Sequence, residues 1–213
     1  MAKQPNIPKP TVRRLPLYYF FLKSLAKKYQ GTVSSSEMAE ELGIEDTLVR
    51  KDLSLTGFSG KPKVGYTVSA LLSHIEELLG LNNTKDAVLV GMGNLGMALV
   101  NYPGFSEFGL RIVAAFDSDP AKVGTKIGGL VVENSESLVE RVEELGVHIG
   151  IIAVPVDAAQ KVCDSLIDAG VIAIWNFAPI HLRIPEHVII QNENLAARLS
   201  RLSHQIFSIV YDK

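Results

Sequence analysis

Apolar residues recur at helical spacing through the N-terminal part of the chain, and the pattern predicts four helices over residues 15–29, 34–43, 47–54 and 66–79. Pro16 is expected in the first turn of the first helix, where its missing N–H costs little. The polar segment 81–85 follows the fourth helix and is expected to be a linker.

The second and third helices match a helix-turn-helix, because a turn of about three residues beginning at Gly43 joins them. Ser34 and Glu37 have the spacing of a capping box, although Ser35 or Ser36 could equally be the cap. Two short helices joined in this way are typical of DNA-binding modules, in which the second helix enters the major groove.

The third helix has the composition expected of a DNA-reading helix. Leu53 together with Leu48 or Val49 would anchor it, which leaves Arg50 and Lys51 facing outward. Arginine donates two hydrogen bonds to guanine, and lysine or serine reaches phosphate. The glycine-rich segment 56–66 is interpreted as a β-hairpin wing with two lysines; a three-helix support domain with a solvated basic loop is the alternative. The candidate DNA-binding residues are Ser35, Ser36, Thr47, Arg50, Lys51, Ser54, Lys61 and Lys63.

Charge is divided unevenly along the chain. Residues 1–67 hold 11 Lys and Arg against 6 Asp and Glu, and residues 68–213 hold 10 against 17. A basic N-terminal module joined to an acidic ligand-binding domain would show this division, although an unequal scatter of surface charge would show it as well.

Beyond residue 85, buried-type apolar runs alternate with helical patterns. This alternation predicts an α/β Rossmann domain, a doubly wound and mostly parallel sheet, preceded by the α+β winged-helix domain. The predicted helices cover 138–145, 158–169 and 194–211. The predicted strands end near Val90, Asp117, Val154, Asn176 and Gln191.

The first of these strands runs into a Gly91-x-Gly93-x-x-Gly96 loop and then a helix, which is the context of a dinucleotide-binding fingerprint. Asp117 follows the last glycine by about 20 residues, the position at which an acid accepts hydrogen bonds from the adenosine ribose. A carboxylate there would repel a 2′-phosphate, so NAD(H) is favoured over NADP(H).

Ligands of such sheets bind beyond the carboxyl ends of the strands, so four segments are expected to converge on one pocket. The candidate cofactor-binding residues are Gly91, Met92, Gly93, Asn94, Leu95, Gly96, Tyr102, Phe116, Asp117, Val154, Pro155, Asn176, Phe177, Ala178 and Pro179.

No catalytic or metal-binding set is visible, and no enzymatic activity is predicted. The five histidines are scattered, and of these only His181 lies near a predicted pocket segment. A small NAD-dependent oxidoreductase with an N-terminal helical cap remains the alternative, as does a nucleotide-binding protein whose helical domain contacts protein.

The sequence predicts a cytoplasmic protein. No apolar run reaches the roughly 20 residues of a membrane span, and the N-terminus lacks the apolar core of a signal peptide. The single cysteine, Cys163, excludes an internal disulfide and is expected to be a buried thiol.

The whole chain resembles the Rex family of redox-sensing transcriptional repressors. The matching stretches begin at Leu15, Val49, Gly65, Val90, Tyr102 and Asn176; they read LPLYY, VRKDLS, GY, VGMGNLG, YPGF and NFAP. Together and in this order they are highly specific.

The resemblance implies a homodimeric repressor that binds operator DNA when free or bound to NAD⁺ and is released by NADH. It implies a winged-helix domain over 1–80, a Rossmann domain over 81–192 and a C-terminal helix over 193–213 that is exchanged with the partner subunit. It places Tyr102 near the nicotinamide. Asn194 stands where relatives often carry an acid beside the partner's nicotinamide.

Overall fold

A computed structural model describes residues 7–211, which divide into two compact units between Asn83 and Thr84. The six residues before and the two after this range, which fall in the predicted 1–80 and 193–213 segments, lie outside the described residues. Within residues 7–211, no helix combines the length and apolar character needed to cross a membrane.

The first unit contains four helices and a two-stranded antiparallel sheet. Its elements, in order, are α1 (Lys9–Ala26), β1 (Thr32–Val33), α2 (Ser35–Leu42), α3 (Asp46–Leu55), β2 (Tyr66–Thr67) and α4 (Val68–Leu78). Its buried apolar side chains include Leu15, Tyr18, Leu22, Met38, Val49, Leu53, Leu71 and Ile75. The spacing of these residues is the helical periodicity seen in the sequence.

Two end signals of α2 are confirmed. The Ser34 hydroxyl accepts a 3.1 Å hydrogen bond from the Glu37 backbone N–H, and the Glu37 carboxylate accepts a 2.7 Å bond from the Ser34 backbone N–H. Gly43 closes the helix in the left-handed conformation, at φ 65°. These two signals fix where the helix-turn-helix turns.

The start of α1 was placed wrongly. The helix begins at Lys9, so Pro16 lies in its interior and not in its first turn. Pro10 already occupies the first turn, and the Val12 N–H donates to the Pro8 carbonyl at 3.1 Å. Either proline could have occupied the first turn of the helix, and it is Pro10, the upstream one, that does so.

The wing differs in detail from a regular hairpin. Lys61 and Gly65 exchange two backbone hydrogen bonds of 2.9 Å around a tight turn, in which Lys63 has φ 63°. The strand that follows, β2, pairs with β1 and not with a second strand of the wing. Because Tyr66 and Thr67 are in that strand, α4 begins at Val68, two residues later than expected.

The second unit is a seven-stranded sheet with helices on both faces. Its strands are β3 (Lys85–Val90), β4 (Leu110–Asp117), β5 (Lys126–Ile127), β6 (Leu130–Asn134), β7 (Ile149–Ile152), β8 (Ala173–Asn176) and β9 (Ile189–Asn192). Its helices are α5 (Asn94–Val100), α6 (Gly104–Glu107), a 3₁₀ turn (Ser135–Ser137), α7 (Leu138–Leu145), α8 (Val156–Asp168) and α9 (Leu195–Tyr211).

The strand order is β5-β6-β4-β3-β7-β8-β9, and every pairing is parallel except that of β5 with β6. The order reverses between β3 and β7, which makes a crevice beyond their carboxyl ends. The doubly wound, mostly parallel fold is therefore confirmed. The elements α6, β5 and β6 were not expected from the sequence; α6 and β5, at four and two residues, are too brief to carry a periodic signal.

Candidate functional site

The loop between β3 and α5 has a separate steric requirement at each glycine. A Cβ at Gly91, where φ is 102°, would lie 2.5 Å from the Ala153 carbonyl oxygen, and a Cβ at Gly96 would lie 1.9 Å from the Gly91 carbonyl oxygen. A Cβ at Gly93 would meet no atom within 4 Å. Gly91 and Gly96 are thus required by the fold, whereas Gly93 leaves open space at the loop surface for a ligand.

Asp117 ends β4 with a fully engaged carboxylate. Oδ2 accepts a 2.7 Å hydrogen bond from the Met92 backbone N–H and a 3.1 Å bond from Lys122 Nζ, and Oδ1 accepts a 2.8 Å bond from the Asp119 backbone N–H. Burial raises the pKa of this carboxyl, but the hydrogen bonds outweigh burial and hold the pKa below its ordinary value. The acid is therefore ionised and oriented, and it is tied directly to the glycine loop.

A cavity of ≈ 890 Å³ lies beyond the carboxyl ends of these strands. This volume is in the range of small-molecule and cofactor sites. Seven of the expected residues line it: Gly91, Gly93, Asn94, Leu95, Asp117, Val154 and Pro155. The lining also includes residues that the sequence did not single out, among them Ser118, Lys122, Glu136, Lys161 and Ser165.

The other expected residues do not line this cavity. The side chains of Met92 and Phe116 are buried, and Gly96 packs under the loop. The buried Asn176 side chain donates to the Ala178 and Ile180 carbonyls at 3.1 Å, so it holds the strand end in shape. Ala178 and Pro179 line a separate depression with His181.

Tyr102 begins a row of aromatic rings along one face of the sheet. Its ring centroid is 5.0 Å from that of Phe105, which is 5.4 Å from Trp175, and Trp175 is 5.1 Å from Phe177. Tyr102 is exposed, whereas Trp175 and Phe177 are half-buried. The row therefore runs from the partly covered sheet out to solvent.

No side chain of the cavity lining supplies a histidine acid–base group, since His181 lines the separate depression. Among the residues that the structure describes, no group of three or more His, Cys, Asp or Glu side chains could hold a metal ion. Cys163 is buried, and burial raises its thiol pKa to about 11, which makes it a poor nucleophile.

The expected DNA-binding side chains of the first unit are exposed, with the exception of Ser35. Val49 and Leu53 anchor α3 in the core, which resolves the two alternatives for its buried face. The exposed residues are Ser36 at the start of α2, Thr47, Arg50, Lys51 and Ser54 on α3, and Lys61 and Lys63 on the wing; Ser35 is half-buried.

A buried carboxylate on the opposite side of α3 was missed. Asp52 is 1% exposed and accepts hydrogen bonds from Thr11 Oγ1 at 2.8 Å and from the Tyr18 hydroxyl at 2.8 Å. The Arg14 guanidinium donates to both Asp52 oxygens, at 2.6 and 2.7 Å. One acid thereby fixes α3 to α1.

Two family models match the chain. Residues 6–54 match the family described as putative DNA-binding protein N-terminus, and residues 82–180 match the CoA binding domain family. The two matches fall on the two compact units.

Curated relatives match nearly the whole chain. The redox-sensing transcriptional repressor Rex of Bacteroides fragilis is 41% identical over 94% of this chain and 91% of its own length. The protein of the same name from Treponema denticola is 44% identical over 95% of this chain and 96% of its own.

Solved structures match to the same extent. A crystal structure of RSP with β-NAD⁺ and operator DNA superposes with a TM-score of 0.90 at 35% identity, over 95% of this chain and 93% of that one. RSP with β-NADH gives 0.86 at 34% identity, over 95% of both chains. RSP is described as a Rex-family repressor.

Proposed function

The chain belongs to the Rex family of redox-sensing transcriptional repressors, and on that premise we propose that its first unit binds operator DNA, which is released when NADH occupies the cavity of its second unit. It is a repressor and not an enzyme: the dinucleotide is its signal and is not consumed. The observation that carries the proposal is the Met92–Asp117 hydrogen bond, which joins the glycine loop and the ribose acid in one site.

NAD(H) fits this cavity better than coenzyme A or NADP(H). Gly93 leaves space at the loop for a pyrophosphate, and Asp117 is ionised beside the position of the ribose. Coenzyme A carries a phosphate on its ribose and NADP(H) carries one at the 2′ position. A carboxylate facing either group would repel it, so the CoA binding domain match describes the fold and not the ligand.

For DNA, we assign the base contacts to Arg50 and the phosphate contacts to Lys51, Ser54 and the two wing lysines. Arg50 and Lys51 lie on the exposed side of α3, and Lys61 and Lys63 lie on the exposed turn of the wing. Sequence reading thus comes from α3, and most of the salt-dependent affinity comes from the lysines.

Release requires NADH to bind more tightly to the DNA-free state than to the DNA-bound state, since only a differential affinity shifts an equilibrium. Reduction removes the positive charge of the nicotinamide, and this charge change supplies the difference between the two cofactor forms. Asn194 offers no carboxylate to balance the positive charge of NAD⁺.

We propose a homodimer, in the cytoplasm, in which α9 packs on a second copy. All side chains of α9 that the structure describes are exposed, including Leu199, Leu202, Ile206 and Phe207. An apolar stripe of this kind is stable when another surface covers it. A two-fold dimer also presents two copies of α3 to paired half-sites.

The test is a binding assay on a duplex selected from random sequence by the chain itself. NADH should release the duplex at concentrations at which NAD⁺ leaves most of it bound. Replacement of both Arg50 and Lys51 by alanine should abolish DNA binding and leave NADH affinity intact. Equal release by both cofactors, or steady turnover of NADH, would contradict the proposal.

A further inference from the structure

An acidic side chain contacts one of the residues assigned to DNA binding. Asp46 is in the first turn of α3, four residues before Arg50, and its Oδ2 accepts a hydrogen bond from the Arg50 guanidinium. The Arg50 side chain is 60% exposed and that of Asp46 is 29% exposed. The pair therefore lies at the protein surface and not within the core.

Residues of α2 and β2 also act electrostatically on the Asp46–Arg50 pair. The pKa of Asp46 is below its ordinary value, chiefly because the Ser35 hydroxyl approaches it from the start of α2, with Arg50 and Ser36 contributing and burial opposing. The pKa of Tyr66, on β2, is raised, chiefly by burial. The charge of Arg50 lowers this pKa and the charge of Asp46 raises it. The Oδ1 atom is shielded from solvent and has no well-aligned donor among the described residues.

A carboxylate at this position reduces general affinity for DNA, because it repels phosphate and offsets one cation. It also adds little to the stability of the fold, because exposed ion pairs at this spacing are weak. The helix N-terminus also favours an acid in the first turn of α3, but this does not account for the contact of Asp46 with Arg50.

Orientation of the Arg50 guanidinium does account for this contact. A free arginine side chain samples many rotamers, and ordering it on binding is costly. An arginine held by a carboxylate presents its planar fork in one direction, which is what bidentate recognition of a guanine edge requires. A held arginine is also less available to nearby phosphates.

We propose that Asp46 is a positioning residue for sequence reading: it holds the Arg50 guanidinium toward the base edges and, in exchange for weaker general affinity, raises the preference for operator over other DNA. This inference rests on the proposed DNA-binding function. Under this proposal, the preference for operator DNA depends on Asp46 as well as on Arg50.

The experiment compares Asp46→Asn with Glu45→Gln in the full-length chain. Glu45 is the exposed neighbour, and its side chain makes no capping hydrogen bond, so its substitution removes the same charge without touching Arg50. Each protein is titrated onto the selected duplex, onto single-base variants of it and onto an unrelated duplex of equal length, at several salt concentrations.

Glu45→Gln should strengthen binding to all duplexes by a similar factor and leave the preference unchanged. Asp46→Asn should strengthen binding to the unrelated duplex several-fold but lower the preference for the selected duplex by about tenfold. The lost preference should map to the guanine positions at which Arg50→Ala also loses it. In an Arg50→Ala background, Asp46→Asn should cause no further loss.

An unchanged preference in Asp46→Asn, an equal loss in Glu45→Gln or a full additional loss without Arg50 would each overturn the inference. Unchanged NADH affinity and helical content establish that the variants fold. If the unsubstituted chain prefers no duplex, the DNA-binding proposal itself fails, and this result is distinguishable from the other three.

Discussion

The carbonyl oxygen of Gly91 lies where the first side-chain atom of residue 96 would be, at 1.9 Å from an ideal Cβ. The first turn of α5 therefore rests directly on the backbone of the loop that precedes it. Because no flexible side chain intervenes, nothing can shift to admit a methyl group.

Gly96→Ala should therefore damage the fold, whereas Gly93→Ala should damage only the ligand site. We expect Gly96→Ala to lower the free energy of unfolding by about 1–3 kcal/mol, as overpacking does. Gly93→Ala should leave stability unchanged and weaken NADH about tenfold or more, which is about 1.4 kcal/mol. Urea unfolding and calorimetric titration measure the two effects; equal stability loss in both variants would contradict the distinct roles of the glycines.

Asp117→Asn should narrow the preference for NADH over NADPH. The substitution removes the charge that repels a 2′-phosphate, so NADPH affinity should rise relative to NADH on the order of tenfold. Asp168→Asn is the control, because Asp168 is exposed at the end of α8 and does not line the cavity. An unchanged NADH/NADPH ratio in Asp117→Asn would show that the ribose does not bind at this acid.

Asp52→Asn should destabilise the first unit by about 2–3 kcal/mol. Breaking a buried pair typically costs 3–5 kcal/mol, and the Arg14 side chain is 25% exposed, which reduces the cost. Asp86→Asn removes a comparable bidentate partner from Arg111 at an exposed site and should have a smaller effect. Amide hydrogen exchange should locate the loss in α1 and α3 and not in the second unit.

Because of Asp52, the free energy of unfolding of the first unit should fall at acid pH. Burial raises the pKa of Asp52, but hydrogen bonds from Arg14, Tyr18 and Thr11 outweigh it, and the net pKa is lowered from 3.8. A lowered pKa contributes stability that is present above the ordinary value and is lost as pH falls through the folded-state value. Stability measured below about pH 4 should fall less steeply in Asp52→Asn; parallel curves would contradict this assignment.

Ile206→Asp should dissociate the proposed dimer. A charge on the apolar stripe of α9 would be buried without a partner in the interface. Ala197→Asp carries the same charge on the side of the helix opposite Ile206 and should leave the mass in solution unchanged. Sedimentation measures both; a monomeric unsubstituted chain would remove the dimer from the proposal.

The sequence was sufficient wherever one short segment contains the whole signal. Gly91, Gly93 and Gly96 stand between an apolar run and a helical pattern, and Ser34 and Glu37 are three residues apart. Each of these signals is local, so the chain reveals it without knowledge of the tertiary contacts.

The sequence was insufficient where two interacting residues are distant in the chain. Asp52 pairs with Arg14 across 38 residues, and neither residue is distinguished by its neighbours from an ordinary surface charge. Lys122 and Lys161 face the cavity because of the order of the strands, which a single sequence does not specify. The contact between Asp46 and Arg50 was not predicted either, because the sequence does not show how a surface cation is oriented.

The position of Trp175 gives the protein an optical reporter of its own. It is the chain's single tryptophan, packed between Phe105 and Phe177, and its Nε1 atom is shielded without a hydrogen-bond partner among the described residues. Indole emission overlaps the absorption band of reduced nicotinamide and not that of the oxidised ring. Resonance energy transfer from Trp175 would therefore occur to bound NADH and not to NAD⁺. The fluorescence of unlabelled protein would thus report the reduction of the nicotinamide, which is the change that the protein is proposed to sense.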